Sequence, residues 1–225
     1  MKSETELWRA AHDEVRNGRR AVMCTVIQGK GSIPRELGAR MLIGEVGTLA
    51  GTIGGGCGEA DVLVAARKAI AGAEFPRFVE VDLAGSLEQD EVQACGGTMR
   101  VFVRLLDSSD EGWIAKLAHA EAEHEPMIVI EALDSSATQV VSESDNEHAM
   151  AGFLRDFPAQ GAKLFRHQDE EYFAQRIGTS LRLVLVGSGH VAMPLCEFAA
   201  KSGFAVTVVD DRPSYVTQAR FPDAE

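Results

Sequence analysis

The chain is short of positive charge. Its 22 lysines and arginines face 34 aspartates and glutamates, for a formal net charge of −12. Such a surface repels phosphate backbones and anionic lipid, which excludes nucleic acid and membrane surfaces as main partners. Long apolar runs are also lacking, and none could span a bilayer. Met1 to Glu6 is too acidic and too poor in apolar residues for a secretory signal, so a cytoplasmic protein is expected. Cysteine is scarce and unpatterned. Cys24, Cys57, Cys95 and Cys196 show no C-x-x-C spacing, which excludes a zinc knuckle or thioredoxin motif and predicts free thiols. The six histidines are scattered without metal-ligand spacing, and there is no internal repeat or low-complexity tract.

What is present is an ordinary globular composition, 45% hydrophobic over 225 residues, enough for one large domain or two small ones. Helical spacing of Leu7, Trp8, Ala11 and Val15 predicts a helix over Thr5 to Gly18, and Ala21 to Ile27 reads as a buried strand. Strands are expected at Arg40 to Ile43, Gly47 to Ile53, Phe78 to Leu83 and Met99 to Leu106. Helices are expected at Gly58 to Gly72 and Trp113 to Glu123. Met127 to Leu133 and Thr138 to Ser142 form a hairpin pattern over Asp134-Ser135-Ser136. Glu143 to Ala159 gives room for a short helix before Pro158, and Ala162 to Phe165 with Glu170 to Arg176 reads as a second strand pair. The fold class is therefore α/β. An N-terminal mixed α/β domain (residues 1–177, with a linker) is expected to precede a partial Rossmann-type parallel unit (178–225).

The C-terminal assignment rests on an ordered series of signals. Leu181 to Val186 is an apolar run typical of a buried parallel strand. It enters Gly187-Ser188-Gly189-His190-Val191-Ala192, a G-x-G-x-x-A turn opening a helix. Gly187 permits the tight turn, Gly189 lets backbone approach a pyrophosphate, and small Ala192 lets helix and strand pack closely. A second strand, Ala205 to Val209, ends at Asp210, where a ribose hydroxyl is expected. His190 stands in the turn, and Arg212 could meet a 2′-phosphate, so NAD and NADP both stay open. Pro194, about a turn into the helix, is expected to cost a backbone bond. The chain stops soon after the second strand, so the remaining strands of such a sheet have to come from further sequence or from another chain.

Three N-terminal segments are dense in glycine: Gly31 to Met41, Gly51 to Glu59, and Ala94-Cys95-Gly96-Gly97. Glycine this dense costs chain entropy, usually offset by sharp turns or close approach to a ligand. Gly54-Gly55-Gly56 leads into a helix whose free N–H groups form an anion site, with Cys57 placed where the dipole favours thiolate. Arg35 and Arg40 supply fixed positive charge for a phosphate. The bland alternative gives each glycine cluster its own turn at opposite ends of the domain. Cys24, within an apolar strand, and Cys196, beside Leu195 and Ala199, read as core residues.

At these segments the chain resembles the xanthine dehydrogenase accessory-factor family, XdhC/CoxI type. That family carries G-S-x-P-R-x-x-G-A-x-M, G-G-C-x-E and C-G-G, here Gly31 to Met41, Gly55 to Glu59 and Cys95 to Gly97. Its Rossmann part carries G-x-G-H-V-A and D-D-R-P, here Gly187 to Ala192 and Asp210 to Pro213. The resemblance implies a factor that binds molybdenum cofactor (molybdopterin), promotes its sulfuration and delivers it to a molybdenum hydroxylase. It implies a cysteine desulfurase-type sulfur donor and a homo-oligomer. Cys57 and Cys95 would contact the cofactor and its metal, with Ser32, Arg35, Arg40, Gly54, Gly55, Gly56, Glu59, Gly96 and Gly97 around them. Gly187, Gly189, His190, Ala192 and Asp210 would line any nucleotide. Two other classes stay open: an NAD(P)-dependent oxidoreductase using Cys57 or Cys95 as a redox thiol, and a non-catalytic scaffold docking a sulfurtransferase and its client.

Overall fold

The computed structural model describes residues 4–55, 58–83, 96–135, 137–142, 157, 161–179 and 181–224. Its contacts divide the chain into two compact units, Met1–Gly178 and Thr179–Glu225.

In the first unit, α1 (Glu4–Arg16) buries Leu7, Trp8, Ala11 and Val15, as their spacing predicts. Gly18, at φ +69°, stops the helix, with Arg19 N–H returning to the Glu14 carbonyl at 3.0 Å. The strands β1 (Ala21–Lys30), β2 (Arg40–Gly44), β3 (Gly47–Gly51), β4 (Phe78–Asp82) and β5 (Thr98–Leu106) form one antiparallel sheet in the order β3-β2-β1-β5-β4. β1 is central and covered on both faces, which is why it reads as a continuous apolar run rather than an alternating one. Val22, Cys24 and Val26 pack on one face with α2 (Gly58–Ile70), whose Val62, Ala65, Ala66 and Ala69 are buried. Ala21 and Met23 pack on the other face with α1 and α3 (Glu111–Ala122).

A second antiparallel sheet, in the order β7-β6-β9-β8, comprises β6 (Met127–Ala132), β7 (Thr138–Ser142), β8 (Ala162–His167) and β9 (Glu170–Ile177). Phe173 and Leu133 from this side close on Ile27 and Phe102 of the first sheet. The expected hairpin and the second strand pair are thus both present, in one sheet. The expected helix between Glu143 and Ala159 lies outside the described residues, apart from a buried Phe157.

The second unit is a parallel pair, β10 (Leu181–Val186) and β11 (Phe204–Val209), joined by α4 (Ala192–Lys201). This is the first strand–helix–strand of a Rossmann-type sheet. Leu185, Val206 and Val208 pack against Ala192, Cys196 and Ala199. Pro194 costs no backbone bond, contrary to expectation. It is the third helical residue, where the N–H has no intrahelical partner in any helix, and the first helical bond runs from Leu195 N–H to the Val191 carbonyl. None of the described helices is long and apolar enough to cross a membrane.

Candidate functional site

The three glycine segments of the first unit meet at one rim. They do so although β3 and β5 are not neighbours, being separated by β2 and β1. The loop after β1 is the hub. A Cβ placed on Gly31 would lie 3.2 Å from the Gly97 Cα, and one on Gly97 would lie 2.5 Å from both the Lys30 and Ser32 carbonyl oxygens. Gly97 therefore fits only as glycine, its backbone wedged between two carbonyls. Three residues on, Pro34 covers the second segment: a Cβ on Gly54, at φ +136°, would lie 2.3 Å from the Pro34 Cγ. Leu83 links the second and third segments. Its N–H donates to the Gly97 carbonyl at 2.9 Å, and its side chain lies 3.1 Å from where a Gly58 Cβ would stand.

Gly56, Cys57 and Cys95 lie outside the described residues, so the expected thiol-to-thiol geometry does too. Their chain neighbours Gly58 and Gly96-Gly97 are at this rim. Gly96 and Ser32 are exposed there, and Arg35 keeps 28% of its side-chain surface with its guanidinium 3.2 Å from Glu36. Among the described residues no group of three or more His, Cys, Asp and Glu is placed to hold a metal ion.

Glu59 is already bonded to the loop ahead of it. Its Oε1 accepts the Thr52 hydroxyl at 2.6 Å, the Gly55 N–H at 2.9 Å and the Ile53 N–H at 3.2 Å. Thr52 Oγ1 accepts the Gly54 N–H at 3.1 Å. Thr52 was not signalled by the sequence, because its partner stands seven positions on and matches no capping spacing. The Cys24 thiol, beneath in β1, is pushed well above its ordinary pKa by burial and then by the charge of Glu59, which fits a core residue.

Arg40 is engaged on the opposite face of the sheet. Its guanidinium bonds Glu131 of β6 at 2.7 Å and Gln175 of β9, over the Trp8 ring of α1, with 4% of the side chain exposed. Glu131 also faces Arg104 of β5 at 3.6 Å, and Arg104 reaches Asp110 at 2.7 Å and the Thr138 hydroxyl. A lone acid inside the apolar run Met127 to Leu133 was the available signal for such a buried pair.

In the second unit the turn after β10 has the expected Rossmann form. Gly187, at φ +101°, donates its N–H to the Val209 carbonyl at 2.7 Å. Gly189 and His190 are exposed and Ala192 is buried. Asp210 is held by the protein itself. Its Oδ2 accepts the Ser188 N–H at 2.7 Å and hydroxyl at 2.6 Å, and Arg212 reaches Oδ1 at 2.8 Å through Nε and Oδ2 at 3.0 Å. The Arg212 guanidinium, then the Ser188 hydroxyl and N–H, hold Asp210 far below the usual carboxylate range. Arg212 and Arg220 also lie over the Tyr215 ring, at 4.3 and 4.8 Å.

Comparison with known proteins matches two stretches of the chain, the first taking in the Gly31–Met41 and Gly51–Glu59 segments and ending before Gly96-Gly97. The XdhC and CoxI family model covers residues 14–82, and the XdhC Rossmann domain model covers 183–225. A probable xanthine dehydrogenase subunit from Bacillus subtilis (strain 168) is 28% identical over 215 residues, covering 91% of this chain and 64% of that protein. The chain thus spans under two thirds of that relative's length. A crystal structure of a xanthine dehydrogenase from Bacillus halodurans superposes with a TM-score of 0.72 at 25% identity, over 100% of this chain and 67% of that one. The two family matches thus fall in chain order, the first on the N-terminal unit and the second on the Rossmann-type unit, and the chain is similar to proteins of the XdhC and CoxI type at both.

Proposed function

We propose that this protein is an accessory factor for a xanthine dehydrogenase-type molybdenum hydroxylase, and that it binds molybdenum cofactor at the glycine rim, helps its sulfuration and delivers it. The convergence of Gly31–Pro34, Gly54–Gly58 and Gly96–Gly97 carries the reading. It favours one shared site over three separate turns, and it brings together the chain neighbours of Cys57 and Cys95. Molybdenum cofactor is a pterin dithiolene bearing a phosphate, and when bound it supplies the molybdenum and sulfur chemistry. Soft thiolates from Cys57 and Cys95 suit its metal and sulfur. The α2 start and Arg35 suit its phosphate. Arg40, already paired with Glu131, is left out of this site. A cysteine desulfurase-type protein would donate the sulfur. The similarity to a xanthine dehydrogenase structure and to a probable xanthine dehydrogenase subunit supports the client class.

The test is metal and pterin analysis of protein purified from cells able to make molybdenum cofactor. Molybdopterin should copurify, and folded Cys57→Ala and Cys95→Ala proteins should lose most of it. Full retention in both variants would remove the thiols from the mechanism, and no molybdopterin with the unaltered protein would remove the function.

A further inference from the structure

We infer that Thr52 and Glu59 are positioning residues that fix the backbone leading to Cys57; the inference rests on reading the rim as the cofactor site. Three consecutive amides, those of Ile53, Gly54 and Gly55, donate to these two side chains, and the side chains bond each other. The segment needs such ties. Gly54 and Gly55 both take positive φ, at +136° and +72°, and glycine has the most conformational freedom to lose. Glu59 is the second residue of α2, so its carboxylate reaches back over the helix start, where the field of the free N–H groups favours it. Asp61, the other acid of the first turn, is exposed and lines the groove between α2 and β4 instead.

The arrangement divides the loop's amides by task. Those of Ile53 and Gly55 are spent on Glu59, so they hold the loop rather than meet a ligand. Oε1 of Glu59, with three donors, is likewise spent internally. What the clamp leaves to the rim is the start of α2 at Gly58. The family motif's acid two positions after its cysteine is thereby assigned to shaping the loop, and it works through an oxygen acceptor rather than through charge at the cofactor.

The acceptor role separates from a charge role by conservative replacement. Glu59→Gln and Thr52→Ser keep the oxygen that the loop uses, whereas Glu59→Ala and Thr52→Val remove it. Two readouts are taken on full-length protein, after a thermal melt shows each variant folded: hydrogen exchange at the Ile53, Gly54 and Gly55 amides without cofactor, and molybdopterin retained on purification. The loss of the acceptor should speed exchange about tenfold, at Ile53 and Gly55 in Glu59→Ala and at Gly54 in Thr52→Val, and lower retention about fivefold. Glu59→Gln and Thr52→Ser should stay within about twofold of the unaltered protein in both. If Glu59→Ala does not fold, Thr52→Val carries the test. Unchanged exchange in the oxygen-removing variants would overturn the clamp. Glu59→Gln losing molybdopterin as fully as Glu59→Ala, with exchange unmoved in Glu59→Gln, would overturn the acceptor role and make the acid a direct contact. If the unaltered protein retains no molybdopterin, the cofactor reading fails separately, and the exchange rates alone uphold or overturn the clamp.

Discussion

Replacing Glu131 with glutamine should destabilise the first unit sharply, through the arginine it leaves behind. Glu131 and Arg40 expose 2% and 4% of their side chains, at 2.7 Å from each other. Arg104 keeps Asp110 at 2.7 Å, so the orphaned charge is that of Arg40, left with neutral acceptors and the Trp8 ring. Breaking a buried pair from one side costs about 3–5 kcal/mol, and the residual Gln175 bond places this case near 3 kcal/mol. For a unit of this size each kcal/mol moves the midpoint by roughly 2–4 °C, so thermal unfolding followed by circular dichroism should fall by roughly 6–12 °C. Arg40→Leu should cost less, because Glu131 still faces Arg104 at 3.6 Å. The double variant Arg40→Leu with Glu131→Leu strands neither, since Arg104 retains Asp110, and should recover much of the loss. A fall under about 2 °C in Glu131→Gln, or additive single costs in the double variant, would refute the desolvated-pair argument. The same double variant bears on function. If it is stable yet loses molybdopterin, Arg40 belongs at the cofactor after all.

Gly54→Ala should lose both stability and cofactor, since its Cβ meets Pro34 at 2.3 Å and its φ of +136° suits only glycine; strain of about 1–3 kcal/mol is expected by denaturant titration. Thiol alkylation of native protein should spare Cys24 and Cys196, both buried and both held above the ordinary thiol pKa by burial, while Cys57 and Cys95 react; mass mapping of the adducts decides this. The second unit should loosen in acid. Asp210 has a folded pKa depressed by Arg212 and then Ser188, so its contribution is fully present above its unfolded pKa of about 3.9 and is lost as pH falls below that value. Protection of the Ser188 amide, which donates to Asp210, measured against its intrinsic exchange rate, should fall only as pH drops well below about 4 in the unaltered protein but should already be lowered at neutral pH in Asp210→Asn.

Local order was legible wherever it is set by neighbours in sequence. The ends of α1 and α2 follow from Gly18 and Gly72, both at positive φ, and the Gly187 turn was readable from the residues around it. Pairing order was less so. Nothing near β1 tells that its partners are β2 and β5 rather than β3, because that choice depends on which faces the helices cover. Arg40 shows the same limit at a site. Beside Ala39 and Met41 it reads as a rim cation, and only Glu131, far along the chain, makes it a core residue. The Glu59 clamp was missed because it uses backbone amides, whose positions depend on loop conformation rather than residue type. The Pro194 expectation erred by one half-turn, since the helix begins at Ala192 rather than at the glycine turn.

The wedge of Gly97 between the Lys30 and Ser32 carbonyls also governs when the site can exist during folding. That contact lies at the Lys30–Thr98 end of the β1–β5 pairing, whose strands are far apart in sequence. Closing so long a loop is the slow, entropy-limited kind of step, and a ribosome must release β5 before β1 can have this partner. The rim is therefore among the late products of assembly, formed after the local helices and hairpins. A chain stalled or truncated before β5 would carry the Pro34 and Gly54 segments intact in sequence but without the surface that joins them, so on the function proposed above cofactor retention would double as a readout of completed folding.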